Sequence, residues 1–433
     1  MKKKWLAGLL STVAVVTLAA CASGGSSTTT SSSSSSADTE TFTYAINGDP
    51  SSTNPINTSD RWGLTLTNFI YSPLIRVEAD GTYVNELVDS YEVAEDGLSI
   101  TVKLRQDVKW SDGEDFTADD VVFTYEQKIK EENGGSDGLY INGQPVTVEK
   151  VDDYTVKFVL PAVSAPGLDN IVTETYIIPQ HVFKDEADFS ASQLTATPVG
   201  TGPYKFVEYK HGEYIKLAAN EYYYKGKAKI DNLVLRIIES ADTTKVALQT
   251  GEVDAAFVLP SDIKDLSTDT ITTYAYSENR VGYLGLNTST EELKDVRVRQ
   301  ALLYALNKEE FNQAAYLDKK YYETPYSFLP VANPYVTEDV EKYEQNIEKA
   351  KQLLAEAGVS NLTVNLGYSS SDAAQTLQAT LIQQQLAAIG VAVELAGGDS
   401  TALFTELKKE GSTAYDLFLG GYIMGNDPDQ YAR

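Results

Sequence analysis

Residues 87–126 read LVDSYEVAEDGLSITVKLRQDVKWSDGEDFTADDVVFTYE, and three kinds of local order follow one another in that run. Leu98, Ile100, Val102 and Leu104 alternate with Ser99, Thr101, Lys103 and Arg105. A side-chain period of two predicts a half-buried strand. Asp112-Gly113 within WSDG predicts a turn. Thr117 then stands where a helix cap belongs, with Asp120 three residues on. Val121, Val122, Tyr125 and Ile129 fall on one helical face. Trp110 and Phe116 are expected in the core, so the WSDG segment reads as structural and not as a ligand contact.

The same alphabet continues outward. YTVKFVL (154–160) repeats the strand pattern with Tyr154, Val156, Phe158 and Leu160. Beyond residue 290 the period lengthens. In DVRVRQALLYALNKEEF, Val298, Ala301, Leu302, Ala305 and Leu306 form one stripe. In NIEKAKQLLAEAG, Ala350, Leu353, Leu354 and Ala357 share a face, and Gly358 is a C-terminal stop. A third helix is predicted from about 372 to 389, ending at Gly390, with the strand-like VAVEL following at once. Strands alternating with helices define an α/β chain.

The N-terminus is different. Lys2, Lys3 and Lys4 precede a mainly apolar run from Trp5 to Ala20, too short for a convincing membrane span. It reads as a secretory signal over residues 1–20. Its exit, LAAC, resembles the lipobox of bacterial lipoproteins. That resemblance implies cleavage before Cys21 and a lipid on its thiol. Cys21 is the only cysteine in 433 residues, so no internal disulfide can form. Residues 21–40 are rich in Ser, Thr and Gly and predict a flexible tether. The net charge of −27 disfavours nucleic acid and electrostatic adhesion to anionic lipid.

Taken in order, LVDSYEVAEDGLSITVKLRQDVKWSDGEDFTADDVVFTYE, IIPQHVF (177–183), VGTGPYKFVEYKHGEYIKLAANEYYYKGKAKIDNLVLRII (199–238), LQTGEVDAAF (248–257), VRQALLYALNKEEF (298–311) and AKQLLAEAG (350–358) resemble the extracellular solute-binding proteins of peptide and nickel ABC importers. The likeness runs from about residue 42 to 431. It implies an α/β, two-lobed periplasmic-binding-protein-like fold of type II, with the extra subdomain of the peptide-binding cluster. The first lobe would span 41–275, with the inserted subdomain at about 75–184. The second lobe would span 276–433, and TYAYSENRVGYLGLN (273–287) would carry the first hinge crossing. Relatives of this family continue beyond the point matched by Arg433, so the second lobe is expected to be incomplete and a poor receptor by itself.

The resemblance also implies a function: capture of oligopeptides between the lobes by hinge closure, and delivery to the permease and ATPase subunits of an importer. A monomer held by its lipid on the extracellular face of the membrane, as in Gram-positive lipoproteins, is expected. An oligosaccharide, a metal chelate, or a surface receptor or adhesin role is the alternative. YDLFLGGYIMGNDPDQY (415–431) resembles the strand and loop that hold peptide backbone in this family. Relatives have a Gly-Trp-x-x-Asp pattern there, whose aspartate pairs with the peptide ammonium. This chain has Tyr422 at the tryptophan and Gly425 at the aspartate, with Asp427 two residues further on. The ligand-facing set is therefore expected to be Tyr71, Arg280, Tyr283, Gly421, Tyr422, Ile423, Met424, Gly425, Asn426 and Asp427. Arg280 could pair with a carboxylate.

Enzymatic chemistry has little support. His181 and His211 are the only histidines, and no nucleophile-elbow sequence frames a serine. No His-Glu-x-x-His pattern or cysteine cluster suggests a metal, and no cofactor is expected. Asp119-Asp120 and Glu131-Glu132 read as helix-start charge and a solvated face.

Overall fold

The computed structural model describes residues 40–433 except 59, 79–80, 134–136, 174, 187–188, 190–196, 278, 425–427 and 429–433. The leader, Cys21, nearly all of the tether, and Gly425, Asn426 and Asp427 lie outside the described residues.

Three sheets organise the chain, each with its own core. The first is mixed and five-stranded, in the order Tyr204–Lys210, Tyr214–Ala219, Asn232–Ile237, Thr41–Ile46, Ala255–Ala256. Thr41–Ile46 is parallel to both of its neighbours. The second has the order Arg280–Leu286, Leu417–Ile423, Thr363–Ser369, Ala392–Gly398. Its last three strands are parallel, and Arg280–Leu286 runs antiparallel against Leu417–Ile423. The third is antiparallel, in the order Val88–Val93, Ser99–Leu104, Thr155–Val159, Thr147–Asp152. The α/β reading of the sequence holds.

The opening stretch builds the third sheet and its helix. Ile100, Val102 and Leu104 are buried against Val156, Phe158 and Trp110. Leu98, expected inside, is exposed. It follows Gly97 (φ +68°) in the hairpin turn, where its N–H donates to Asp96, so the alternation begins only at Ser99. The helix Ala118–Lys128 starts as its cap predicts: the Thr117 N–H donates to Asp120 Oδ2 at 2.9 Å. Asp120 is buried and is not merely helix-start charge. It also accepts from the Gln180 N–H at 2.9 Å and from Trp110 Nε1 at 3.3 Å. Burial pushes its carboxyl pKa up, against the pull of those donors.

The stripe 298–306 lies on one helix and its C-terminal cap, and a second helix follows. Val296–Ala305 ends at Leu306, which is extended, and Asn307 caps Lys308–Tyr316 by accepting from the Glu310 N–H. The stripe's five apolar residues are nonetheless all buried. The other two helices form as read, over Ile347–Glu356 and Ala373–Ala387. Gly358 (φ +71°) and Gly390 (φ +80°) lie in the left-handed region just past their ends.

Glu86 ties the third sheet to the first. Its buried carboxylate accepts from Arg76 Nε (2.9 Å), Lys225 Nζ (2.5 Å) and Tyr224 Oη (2.6 Å). Burial would raise its pKa, but the three donors outweigh it and hold the group below the usual carboxylate value of 4.5. A lowered folded pKa stabilises the fold above the unfolded value, and that stability is lost as pH falls through the folded value. Glu86→Gln should therefore cost about 1–2 kcal/mol at pH 7, the partners being partly exposed. The difference from wild type should shrink below about pH 4. Urea unfolding at the two pH values checks this, and a difference independent of pH would contradict the ionic account.

Candidate functional site at the carboxyl ends of two sheets

In open α/β sheets the carboxyl ends of parallel strands are where loops and helix N-termini converge on ligands. Two such ends exist here. At the first sheet, strand Thr41–Ile46 runs into Asn47 and Gly48, and strand Ala255–Ala256 runs into Phe257. Helix Arg61–Ile70 starts nearby because Asp60 caps it, accepting from the Trp62 and Gly63 N–H groups at 3.0 and 2.9 Å. Asp60 also accepts from the N–H and hydroxyl of Ser51, which fastens the preceding loop to the helix start. Asp49 in the same loop accepts from the Tyr209 hydroxyl (2.7 Å) and the Gly212 N–H (3.0 Å).

The resulting surface is aromatic. Trp62 donates through Nε1 to Asn47 Oδ1 at 2.6 Å and meets Tyr44 edge-on. The Arg61 guanidinium lies 5.9 Å from the Trp62 ring and 5.5 Å from the ring of Phe257, which is 48% exposed. Cation–π contacts of this kind hold a planar polar group over apolar faces. Sequence reasoning missed Asn47, Arg61, Trp62 and Phe257. The available signal was the Asp60 cap directly after a loop that leaves a strand. Trp62 itself looks like any core aromatic.

At the second sheet the strand pair Arg280–Leu286/Leu417–Ile423 holds most of the sequence-predicted residues. Tyr283 is directly opposite Gly420, and Gly282 is opposite Gly421. Glycine is required here: a Cβ on Gly420 would lie 2.5 Å from the Tyr283 ring, and one on Gly421 would lie 2.5 Å from the Arg280 guanidinium. The Tyr283 ring lies 5.8 Å from Tyr422 and 6.0 Å from Phe418, so these three share one face. Burial raises the Tyr283 phenol, and the nearby Arg280 charge opposes that. Arg280 leaves the strand on the opposite face, with Gly421 and Ile423. Arg280 and Tyr283 are therefore brought to one strand end but not to one face. The Tyr422 hydroxyl donates to the Phe328 carbonyl, and Ile423 is 52% exposed.

Two expected ligand contacts are placed elsewhere. Tyr71 is 2% exposed, packed with Ile46, Leu66 and Ile70, and its hydroxyl has no partner among the described residues. Burial pushes that phenol up. Tyr71 is enclosed because it closes helix Arg61–Ile70, its N–H bonded to the Thr67 carbonyl. Met424 is also 2% exposed. Its N–H donates to the Asn279 carbonyl (3.1 Å) and its carbonyl accepts from Asn279 Nδ2 (2.7 Å), so it locks the strand end to the segment entering Arg280.

The remaining polar groups have structural uses. His181 bonds Asp112 at 2.8 Å and lies edge-on to Trp110. His211 is in the loop between Tyr204–Lys210 and Tyr214–Ala219. No group of three or more metal-ligating side chains occurs among the described residues, and no helix among them is long and apolar enough to cross a membrane.

Two α/β sheets with aromatic and cationic side chains at their carboxyl ends form a binding scaffold for a solute. The chain belongs to the bacterial extracellular solute-binding proteins, family 5, whose middle-region model matches residues 82–433. The members of this family are solute-binding proteins and not enzymes, and they work with ABC permease and ATPase subunits. The chain is 30% identical over 410 residues to the oligopeptide-binding protein AppA of Bacillus subtilis, covering 89% of this chain and 74% of that protein. The solved structure of the Bacillus subtilis AppA in complex with a nonapeptide superposes with a TM-score of 0.82 at 28% identity, covering 90% of this chain and 81% of the other. The ABC transporter substrate-binding protein CtaP of Listeria monocytogenes is 37% identical, with a TM-score of 0.76 and coverage of 90% and 80%.

Proposed function

We propose that this protein captures oligopeptides between two lobes and presents them to the permease of an ABC importer. The first lobe would be residues 41–275, with an inserted subdomain at about 75–184, and the second would begin at 276. The likeness to AppA with its nonapeptide carries the reading. The aromatic surfaces at both carboxyl ends support it, since apolar faces beside strand ends suit an extended chain of varied side chains. Attachment to the outer membrane face through a lipid on Cys21 completes the proposal. Cys21→Ser should then release the protein from membranes or leave its leader uncut, and normal retention would contradict the anchor.

Trp62 provides a reporter of binding. Of the three tryptophans, Trp5 belongs to the leader and Trp110 is wholly buried. Titrating the leaderless protein with a pool of tri- to nonapeptides should shift its fluorescence. Trp62→Phe should abolish the shift, with binding still visible by calorimetry. Calorimetric silence of the wild type toward every peptide length would reject peptides as the solute class.

A further inference from the structure

The loop that follows Tyr326 is apolar and exposed beside the second sheet. No charged residue occurs from 324 to 337, in a chain with 62 acidic and 35 basic side chains. Within that run Phe328, Val331 and Tyr335 are exposed, while Leu329, Pro330 and Asn333 are buried and root the loop. Its start is pinned at Tyr326, whose ring lies 5.1 Å from the Lys308 ammonium and 4.9 Å from that of Lys342. Its middle is a turn built on Asn333. The Asn333 N–H donates to the Pro330 carbonyl (2.9 Å), and its Oδ1 and carbonyl accept from the Tyr335 and Val336 N–H groups at 3.0 and 3.1 Å. Two contacts fasten the loop to the end of strand Leu417–Ile423. The Tyr422 hydroxyl donates to the Phe328 carbonyl, and Asn333 Nδ2 donates to Met424 Sδ at 3.6 Å. Phe328 therefore stands next to the Tyr283–Tyr422 ring pair, in a loop whose backbone is fixed before any solute arrives.

Exposed apolar side chains grouped in one place mark a surface that another molecule covers. Here the group is continuous with the ring pair at the strand's carboxyl end, which favours the solute over a second copy or a partner protein. We propose that loop 327–336 is a further wall of the solute site, and that Phe328 selects an apolar side chain of the bound peptide. The proposal rests on the peptide reading above and adds a specificity to it. Main-chain bonds serve every peptide sequence, whereas an apolar wall ranks the side chains set against it. A carboxylate or ammonium placed there gives up water and finds no countercharge in the loop.

The test uses nonapeptides built on one alanine–serine frame, each carrying a single leucine at a different position, and a matching set with glutamate in its place. The leaderless wild type should bind leucine at one position about tenfold or more tighter than glutamate there, the value of taking one large aliphatic side chain out of water. Phe328→Ser should flatten the preference at that position alone, and Phe328→Leu should retain most of it. A wild type without positional preference, or unchanged preferences in Phe328→Ser, would overturn the proposal and leave peptide capture intact. An equal loss at every position would mark a structural role and overturn it too. Binding of no peptide by the wild type would remove both readings. Hydrogen exchange of the wild type needs no substitution: residues 327–336 should gain protection when the preferred leucine peptide is added. Protection unaltered by peptide, or rising with protein concentration alone, would give the surface to a partner protein or a second copy and overturn the proposal.

Discussion

Trp110→Ala should lower the unfolding free energy by about 3–5 kcal/mol, the range for emptying a large aromatic site in a core. The indole is wholly buried among Ile100, Val102, Phe158 and Phe116, whose ring lies 6.0 Å away. The substitution also removes one of the three donors to the buried Asp120. The helix start at Ala118 and its bond to Gln180 should loosen together. Hydrogen exchange at the amides of Val102, Val156 and Gln180 under mild urea should rise in parallel, while Trp110→Phe should recover part of the loss. Because this core does not include the strand ends described above, peptide affinity per folded molecule should be unchanged. A cost under about 1 kcal/mol would mean that the cavity collapses freely and that this core is not close-packed.

Gly200→Ala should be nearly as damaging, at about 3 kcal/mol, the upper end of ordinary overpacking. A Cβ at Gly200 would lie 1.9 Å from the Ile70 carbonyl oxygen and 2.6 Å from its carbon. Backbone cannot change rotamer to make room. The approach is fixed from both sides: the Gly202 N–H donates to that same Ile70 carbonyl (2.8 Å), and the Gly200 carbonyl accepts from the Ser111 N–H (2.9 Å). Gly212→Ala is the control. Gly212 has φ +70° with nothing within 4 Å of a Cβ, so only its left-handed backbone resists, at about 1–2 kcal/mol. Thermal unfolding of both variants should rank Gly200→Ala as the more damaging, and the reverse order would refute the steric account.

These two positions mark what could be read from the chain. Alternation found Ile100–Leu104 and Val156–Leu160, and spacing found the helices at 118, 347 and 373, because burial on one face imposes a period whatever the partner. Leu98 failed because a hairpin turn overrides alternation at a strand end. Leu306 is buried as its stripe predicts but stands just past the helix end, because an apolar stripe does not mark where a helix stops. At the site, the strand pair carrying Arg280, Tyr283 and Tyr422 was legible through family resemblance. The division of those residues between two faces follows from register, which depends on a partner more than a hundred residues away. Trp62 and Phe257 were invisible for a related reason. Strands 41–46 and 255–256 become neighbours only in the folded sheet, and no local pattern announces that meeting.

That meeting also sets an order of events in the life of the chain. Thr41–Ile46 is an interior strand of the first sheet, yet its neighbours are Asn232–Ile237 and Ala255–Ala256, and its Thr43 N–H is held by Asp254, 211 residues away. The third sheet, by contrast, closes entirely within residues 88–159. Loop closure must precede the contacts that reward it, so pairing over such separations is slow. Thr41–Ile46 can take its place only after both distant neighbours have been made, by which point every strand of the third sheet is already present. The two sheets therefore differ in kind: one is a local unit of the chain, the other a seam that joins its distant parts.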